Sequence, residues 1–151
     1  MILKIISKKV LFILFLFLLG CGYSPIYSNL NKPNINIDVI EAIGEIKINN
    51  TIVRKLAKYK TNDAVKNYTV RIDSNYKKTS LTKDAAGNTT DYRLNLEVNF
   101  TINIEGNSKK IIFEEKFDMK KGDTNFQEEK YENILVEDMI NLIIQEFVSQ
   151  L

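Results

Sequence analysis

The clearest pattern in the chain is a strict alternation of apolar and polar residues from Tyr92 to Ile104. The apolar positions are Tyr92, Leu94, Leu96, Val98, Phe100, Ile102 and Ile104. Because successive side chains of a strand point to opposite faces, this spacing predicts a strand with one apolar and one polar face. A sheet with one polar face is typical of antiparallel sheets that are covered on the other face only.

Shorter alternations predict three further strands. Their apolar positions are Ile35, Ile37 and Val39, extending towards Ile43, then Tyr68, Val70, Ile72 and Tyr76, and finally Ile111, Phe113, Phe117 and Met119. Gly106 lies in the segment Glu105–Ser108, and its freedom to adopt a positive φ predicts a hairpin turn there. The polar stretch at residues 78–91 leaves two alternatives open: a long mobile loop, or a continuation of both neighbouring strands.

Two segments show helical spacing instead. The first is short, roughly Thr51–Lys60, with Asn49, Asn50 and Thr51 as candidate N-caps. The second runs from about Thr124 to Leu151 without Pro or Gly. Its apolar stripe contains Val136, Ile140, Ile143, Phe147 and Leu151, widened by Leu135, Met139 and Leu142. Its expected solvent side contains Glu128, Glu129, Glu132, Glu137 and Asp138.

These elements predict an α+β fold in the chain order βαβββα. The sheet is four-stranded and mainly antiparallel, with a short and a long helix on one face. A length of 151 residues allows one domain and makes two unnecessary. We assign residues 35–151 to a single α+β domain.

The first 20 residues predict a lipoprotein signal peptide. Three lysines, at positions 4, 8 and 9, precede the apolar run Val10–Leu19, which is shorter than the roughly 20 residues of a membrane-spanning helix. An uncleaved anchor is the alternative. Leu18-Leu19-Gly20-Cys21 resembles a bacterial lipobox, whose cysteine is acylated, and Cys21 is the only cysteine of the chain. The resemblance makes Cys21 the lipid-attachment site and residues 21–34 an acylated N-terminus and tether.

Composition excludes the common catalytic designs. The chain has no His, so Ser-His-Asp or Cys-His catalysis and imidazole metal sites are excluded. Adjacent carboxylates such as Glu114 and Glu115 could in principle hold a divalent cation, but solvated surface is the favoured interpretation. We therefore expect no enzyme activity, no metal and no cofactor apart from the covalent lipid on Cys21.

Charge is divided along the chain. Residues 47–83 contain ten Lys or Arg and two Asp, a net charge of +8, whereas residues 97–151 contain twelve acids and six lysines, a net of −6. The favoured interpretation is that the two halves complement each other in the fold; the alternative is a basic patch for an anionic partner. Export disfavours nucleic acid as that partner and leaves an anionic glycolipid or an acidic protein surface.

The segment that begins at Cys21 resembles a known family. Cys21-Gly22-Tyr23-Ser24-Pro25-Ile26-Tyr27 is similar to the mature N-terminus of the lipopolysaccharide-assembly lipoprotein (LptE) family, especially its alphaproteobacterial members, and the order of elements matches that family as well. The resemblance implies a non-enzymatic lipoprotein, anchored through its acyl chains on the periplasmic side of the outer membrane. There it would plug the β-barrel translocon LptD, assist its assembly and bind lipopolysaccharide.

Lipid A phosphates would then give the basic segment a ligand. From charge and position beside the polar stretch, Lys77, Lys78, Lys83 and Arg93 are the candidate lipopolysaccharide-binding residues. The alternative function is an accessory lipoprotein of another envelope assembly machine, or a periplasmic binding module.

Overall fold

The computed structural model describes residues 35–61, 64, 66–104 and 106–151, so the predicted signal peptide, the tether and Cys21 lie outside the described residues. The elements are β1 (Ile35–Gly44), α1 (Ile46–Leu56), a short 3-10 helix (Ala57–Tyr59), β2 (Lys66–Lys83), β3 (Thr89–Ile104), β4 (Asn107–Lys120) and α2 (Asn125–Ser149). The predicted order βαβββα is confirmed.

The four strands form one sheet in the order β1-β2-β3-β4. β1 runs parallel to β2, while β2 with β3 and β3 with β4 pair in antiparallel fashion. The parallel pair arises because α1 connects β1 to β2 and returns the chain to the same end of the sheet. The sheet is therefore mixed but mainly antiparallel, as predicted.

One face of the sheet packs against α1 and α2 and forms the hydrophobic core. Leu94, Leu96, Val98 and Phe100 of β3 are all fully buried. Phe147 of α2 stacks on Phe100 with ring centroids 4.1 Å apart. Burying an aliphatic or aromatic side chain of this size contributes about 1.5–3 kcal/mol, so the long helix is held mainly by this face.

The polar stretch at residues 78–91 continues both strands. β2 extends to Lys83 and β3 begins at Thr89, with a five-residue connection between them. The carboxylate of Asp84 accepts hydrogen bonds from the backbone N–H groups of Ala86 and Asn88, at 2.9 and 2.8 Å. The side-chain amide of Asn88, which also donates to this carboxylate, lowers the pKa of Asp84, and the backbone hydrogen bonds add to the effect. In the hairpin between β3 and β4, Ile104 pairs with Asn107 and Gly106 has φ +88°. The predicted turn is therefore confirmed, and it is tighter than the predicted segment Glu105–Ser108.

The predicted start of the first helix is wrong by about five residues. α1 begins at Ile46, and Asn49 lies inside it, 5% exposed, where its Oδ1 accepts a hydrogen bond from Ser74 Oγ at 2.8 Å. Ile48, inside the first helical turn, is buried against the core. Tertiary packing thus extends the helix upstream of its best capping residues, because burial outweighs a cap worth about 1 kcal/mol.

The predicted apolar stripe of α2 is confirmed except at its margin. Leu142 is 43% exposed, whereas Ile144, which the stripe omitted, is buried. An α-helix turns about 100° per residue, so Leu142 lies about 200° around the axis from buried Ile140. The helix begins after Thr124, whose hydroxyl accepts a hydrogen bond from the backbone N–H of Gln127 at 3.2 Å.

A β-bulge interrupts β1 at Ile40. Val39 aligns with Val70 of β2 and Glu41 aligns with the next residue, Arg71, so Ile40 is the extra residue. A bulge of this kind reverses the alternation beyond it. Ile43 consequently aligns with Asp73 and is 51% exposed, although the pattern begun at Ile35 would place it on the apolar face.

Gly44 at the end of β1 should be irreplaceable. It has φ +105°, and a Cβ there would lie 1.9 Å from the carbonyl oxygen of Ser74. Gly87 also has a positive φ, +87°, but a Cβ there would have open space around it. We expect Gly87→Ala to lower the free energy of unfolding by about 1–2 kcal/mol, the cost of a left-handed residue. Gly44→Ala should lower the free energy of unfolding clearly more, because the backbone must also move. Urea denaturation of both variants measures the two losses. Equal losses would contradict this prediction.

Candidate functional site

The second face of the sheet is polar and is covered by neither helix. Along β3 it presents Arg93, Asn95, Glu97, Asn99, Thr101 and Asn103, the predicted polar positions. We call this surface, with the neighbouring side chains of β2 and β4, the polar sheet face. Its location follows from the alternation of β3, since the apolar residues between these positions form the core.

Ion pairs and cross-strand hydrogen bonds organise the polar sheet face. Arg93 donates two hydrogen bonds to the carboxylate of Asp118, at 2.8 and 2.9 Å. This contact lowers the pKa of Asp118 and raises that of Arg93. Glu114 accepts from Asn95 at 2.9 Å and pairs with Lys116 at 3.0 Å. The surface is thus rich in hydrogen-bonding groups whose charges are largely balanced.

The four candidate lipopolysaccharide-binding residues do not form one cluster. Lys77 aligns with Asn95 and is exposed on the polar sheet face, as is Arg93, which is paired with Asp118. Lys83 is exposed at the end of β2 beside the turn. Lys78 points to the opposite, helix-covered side, because adjacent strand residues alternate.

Lys78 forms a half-buried ion cluster with the first turns of α2. Its Nζ lies 2.6 Å from Glu128 Oε1 and 2.8 Å from Glu132 Oε2. It also lies 4.3 Å from the ring centroid of Tyr92, a cation–π contact. Tyr76 donates its hydroxyl hydrogen to Glu132 Oε1 at 2.6 Å. We call Tyr76, Lys78, Tyr92, Glu128 and Glu132 the strand–helix ion cluster.

The charges in this cluster reinforce each other. Burial by itself lowers the pKa of Lys78, but the hydrogen bonds to Glu128 and Glu132 outweigh it and the pKa is raised. The hydrogen bond from Lys78 lowers the pKa of Glu128. Burial, aided by Glu132, raises the pKa of Tyr76 far above its usual value, so the phenol stays protonated as a donor.

The prediction that Glu128 and Glu132 lie on the solvent side of α2 is wrong. Their side chains are only 15% and 21% exposed. A signal for this was available in the sequence: Lys78 continues the apolar positions Ile72 and Tyr76 at even spacing, which places a cation on the covered face. Such a cation requires acidic partners from the covering helix.

Ion pairs also connect the basic and acidic segments of the chain. Lys55 of α1 lies 3.0 Å from Glu137 of α2, and Lys78 pairs with Glu128 and Glu132. Lys47 donates to the side-chain oxygen of Asn133 at 2.7 Å. These contacts support the interpretation that the two charge blocks complement each other within the fold.

The described residues offer no other obvious ligand site. A groove of about 610 Å³ lies between α1 and α2 and is lined by side chains of both charges. Within the described part of the chain, Cys, Asp and Glu nowhere gather in groups of three that could hold a metal ion. In that same part, every helix is too short or too polar to cross a bilayer.

The fold and this surface define a class: small α+β domains with a helix-covered sheet and one open polar sheet face. The model of the lipopolysaccharide-assembly family LptE matches residues 34–151. The chain therefore belongs to the LptE family, a non-enzymatic family of lipopolysaccharide-assembly lipoproteins. This confirms the resemblance inferred from the N-terminal motif and the order of elements.

Solved structures share the fold at low sequence identity. Rare lipoprotein B from Shewanella oneidensis aligns with a TM-score of 0.55 at 17% identity, covering 77% of this chain and 94% of its own. A minor lipoprotein from Acinetobacter baumannii aligns with a TM-score of 0.53 at 16% identity, covering 78% and 94%. Lipoprotein B from Nitrosomonas europaea gives 0.53 at 13%, covering 78% and 84%. A search of curated protein sequences gives no significant match.

Replacing Lys78 should destabilise the domain in a pH-dependent way. We expect Lys78→Met to lower the free energy of unfolding at pH 7 by about 1–3 kcal/mol, because two half-buried carboxylates lose their charged donor. The pKa of Glu128 is lower in the folded protein than in the unfolded chain, where it is about 4.3. The stabilisation is therefore present at pH values above the unfolded pKa and is lost as the pH falls through the folded-state pKa. The difference between variant and parent should therefore shrink below about pH 4.

Lys77→Met is the matched control for that measurement, because Lys77 is adjacent in sequence and exposed on the other face. Urea denaturation between pH 3 and pH 7 compares the three proteins. Equal stability of the two variants at pH 7 would show that the strand–helix ion cluster contributes nothing.

Proposed function

We propose that this chain is an acylated outer-membrane lipoprotein whose domain occupies the lumen of an LptD-type β-barrel. There it acts as a plug and assembly aid, and it binds lipopolysaccharide during insertion into the outer leaflet. The observation that carries the proposal is the polar sheet face, left open by both helices, in a chain that belongs to the LptE family.

The chemistry of that face suits the proposed location. The interior of a large outer-membrane barrel is polar and lined by water. A plug needs a surface that exchanges hydrogen bonds with such a wall and carries no large excess of one charge. Asn95, Asn99 and Thr101 supply amide and hydroxyl groups, and the Arg93–Asp118 pair keeps its charges balanced.

The proposed membrane anchor is the acylated Cys21. Acyl chains on this residue would hold the domain at the inner leaflet, with residues 21–34 as the tether that leads to β1. Several chains give stable attachment where one myristoyl chain is marginal. The protein thus contacts the membrane through lipid only, uses no cofactor beyond it, and acts on the periplasmic side without binding nucleic acid.

The lipopolysaccharide-binding residues are proposed among the four cations already named. Lys77 and Lys83 are the more available, because both side chains are exposed and neither forms an ion pair within the described residues. Arg93 shares its charge with Asp118, and Lys78 is committed to the strand–helix ion cluster. Phosphate groups of lipid A would bind the free ammonium groups by charge-assisted hydrogen bonds.

Co-purification tests the proposed partner. Affinity-tagged full-length protein, extracted from membranes in mild detergent, should bring down a large outer-membrane β-barrel in near-equal amount, identified by mass spectrometry. Recovery of a different envelope complex, or of the lipoprotein alone, would favour the accessory or binding-module alternative.

Replacing Lys77 and Lys83 tests the proposed ligand. We expect Lys77→Gln combined with Lys83→Gln to weaken binding of the domain to immobilised lipopolysaccharide without changing its thermal melting, because both side chains are exposed. Lys109→Gln with Lys110→Gln, two exposed lysines at the start of β4, is the control of equal charge change. An equal loss of binding in both pairs would indicate charge alone and reject a specific site.

A further inference from the structure

The two most exposed large apolar side chains in the described part of the chain lie at the starts of the two helices. Ile46, the first residue of α1, is 77% exposed, and Phe126, the second residue of α2, is 75% exposed. The next most exposed, Ile112, is 56% exposed and aligns with Asn99 on the polar sheet face. We call Ile46 and Phe126 the apolar tips.

The two apolar tips lie at the same end of the molecule. Lys47 of α1 donates a hydrogen bond to Asn133 of α2. Two turns later along α1, Lys55 contacts Glu137, which lies one turn later along α2. The helices therefore run in the same direction, and both begin where β1 finishes. Phe126 is on the same side of α2 as Asn133, because the seven residues between them complete almost two turns.

Charges of both signs surround the apolar tips in equal number. Residues 45–51 and 121–130 contain three lysines and, apart from Glu128 of the strand–helix ion cluster, three acids. These six exposed residues are Lys47, Lys121, Lys130, Glu45, Asp123 and Glu129. Among the described residues, none of the six forms an ion pair. Their charges are thus available to a partner that carries both signs.

The chemistry of this end selects a zwitterionic membrane surface. A purely anionic surface would meet Glu45, Asp123 and Glu129, and a purely cationic one would meet the three lysines. The headgroup of phosphatidylethanolamine carries a phosphate and a primary ammonium, so it pairs with both kinds of side chain through charge-assisted hydrogen bonds. Two separate apolar side chains are too small an area for a stable protein interface, which buries about 800 Å² on each partner. Single side chains do enter the headgroup layer of a bilayer.

The length of the tether allows this contact. Residues 21–34 number 14 and reach at most about 50 Å. β1, ten residues long, covers about 33 Å between the end of the tether and the start of α1. Acylated Cys21 and Ile46 can therefore lie at the same membrane surface. Attachment keeps the local concentration of lipid high, so a contact made by few side chains suffices.

We propose that the starts of α1 and α2 form a membrane-contact surface, whose apolar tips enter the headgroup layer of a bilayer rich in phosphatidylethanolamine. The three lysines pair with phosphates and the three acids pair with ammonium groups. The contact belongs to the acylated protein before the barrel encloses it. The proposal depends on the proposed function only for the acyl anchor.

Tryptophan fluorescence tests the contact, because the chain contains no Trp. Phe126→Trp places one fluorophore on an apolar tip, and Ile112→Trp is the matched control on the polar sheet face. Each acylated protein is reconstituted into vesicles of phosphatidylethanolamine and phosphatidylcholine, with or without brominated acyl chains that quench nearby tryptophan. We expect blue-shifted emission and several-fold stronger quenching at position 126 than at position 112. Equal quenching at both positions, or none at position 126, would overturn the proposal.

Charge reversal tests the zwitterionic headgroup. Replacing phosphatidylethanolamine by phosphatidylglycerol should weaken quenching at position 126. Glu45→Lys combined with Glu129→Lys should reverse this preference, because the surface then carries only cations. Asp138→Lys combined with Glu146→Lys, two exposed acids farther along α2, changes the charge equally and should keep the original preference. Stronger quenching by phosphatidylglycerol with the native acids, or the same preference in both pairs, would reject this headgroup.

Flotation of the vesicles separates the membrane contact from the proposed function. If the protein with native Cys21 does not float with the vesicles, the acyl anchor is absent and both proposals fail. Flotation without quenching at position 126 rejects the membrane contact alone. Protection of position 126 from aqueous acrylamide by the purified barrel but not by vesicles would assign a protein as the occupant and reject the bilayer.

Discussion

Packing of two helices onto one face of the sheet is the constraint on which the rest of this structure depends. Phe100, Leu96 and Val98 of β3 are inaccessible to solvent in a core that both helices help to form, with Phe147 of α2 stacked on Phe100. Alternation along the strands then places every other side chain on the opposite surface. The polar sheet face is therefore a direct consequence of one-sided packing.

The same packing explains why an ion cluster lies between strand and helix. β2 extends past the apolar core, so the covered side receives Tyr76 and Lys78 where the first turns of α2 pass over it. A cation in this position costs desolvation energy unless it is paired, and Glu128 with Glu132 supplies the pairing. The acidic start of α2 also suits the positive end of its macrodipole. Packing and electrostatics thus fix the same contact.

Membership of the LptE family places these surfaces in a lipopolysaccharide-assembly protein. The fold of this lipopolysaccharide-assembly family is seen here with a polar sheet face that neither helix covers and with two exposed lysines, Lys77 and Lys83, on β2. In the proposed plug, the polar sheet face meets a wet barrel wall and the two exposed lysines meet lipid A phosphates.

Local sequence patterns determined the order of the secondary-structure elements and pointed to the family. The period-two spacing from Tyr92 to Ile104, the helical stripe that contains Ile140 and Phe147, and the motif that begins at Cys21 predicted the element order and the family. These features depend on neighbours within a few residues of each other, and such patterns are visible in a sequence. Tertiary structure decided the start of α1 at Ile46, the burial of Glu128 and Glu132, and the bulge that turns Ile43 outwards. Each of these depends on which strand or helix lies opposite, a relation between distant residues that propensity and periodicity do not contain.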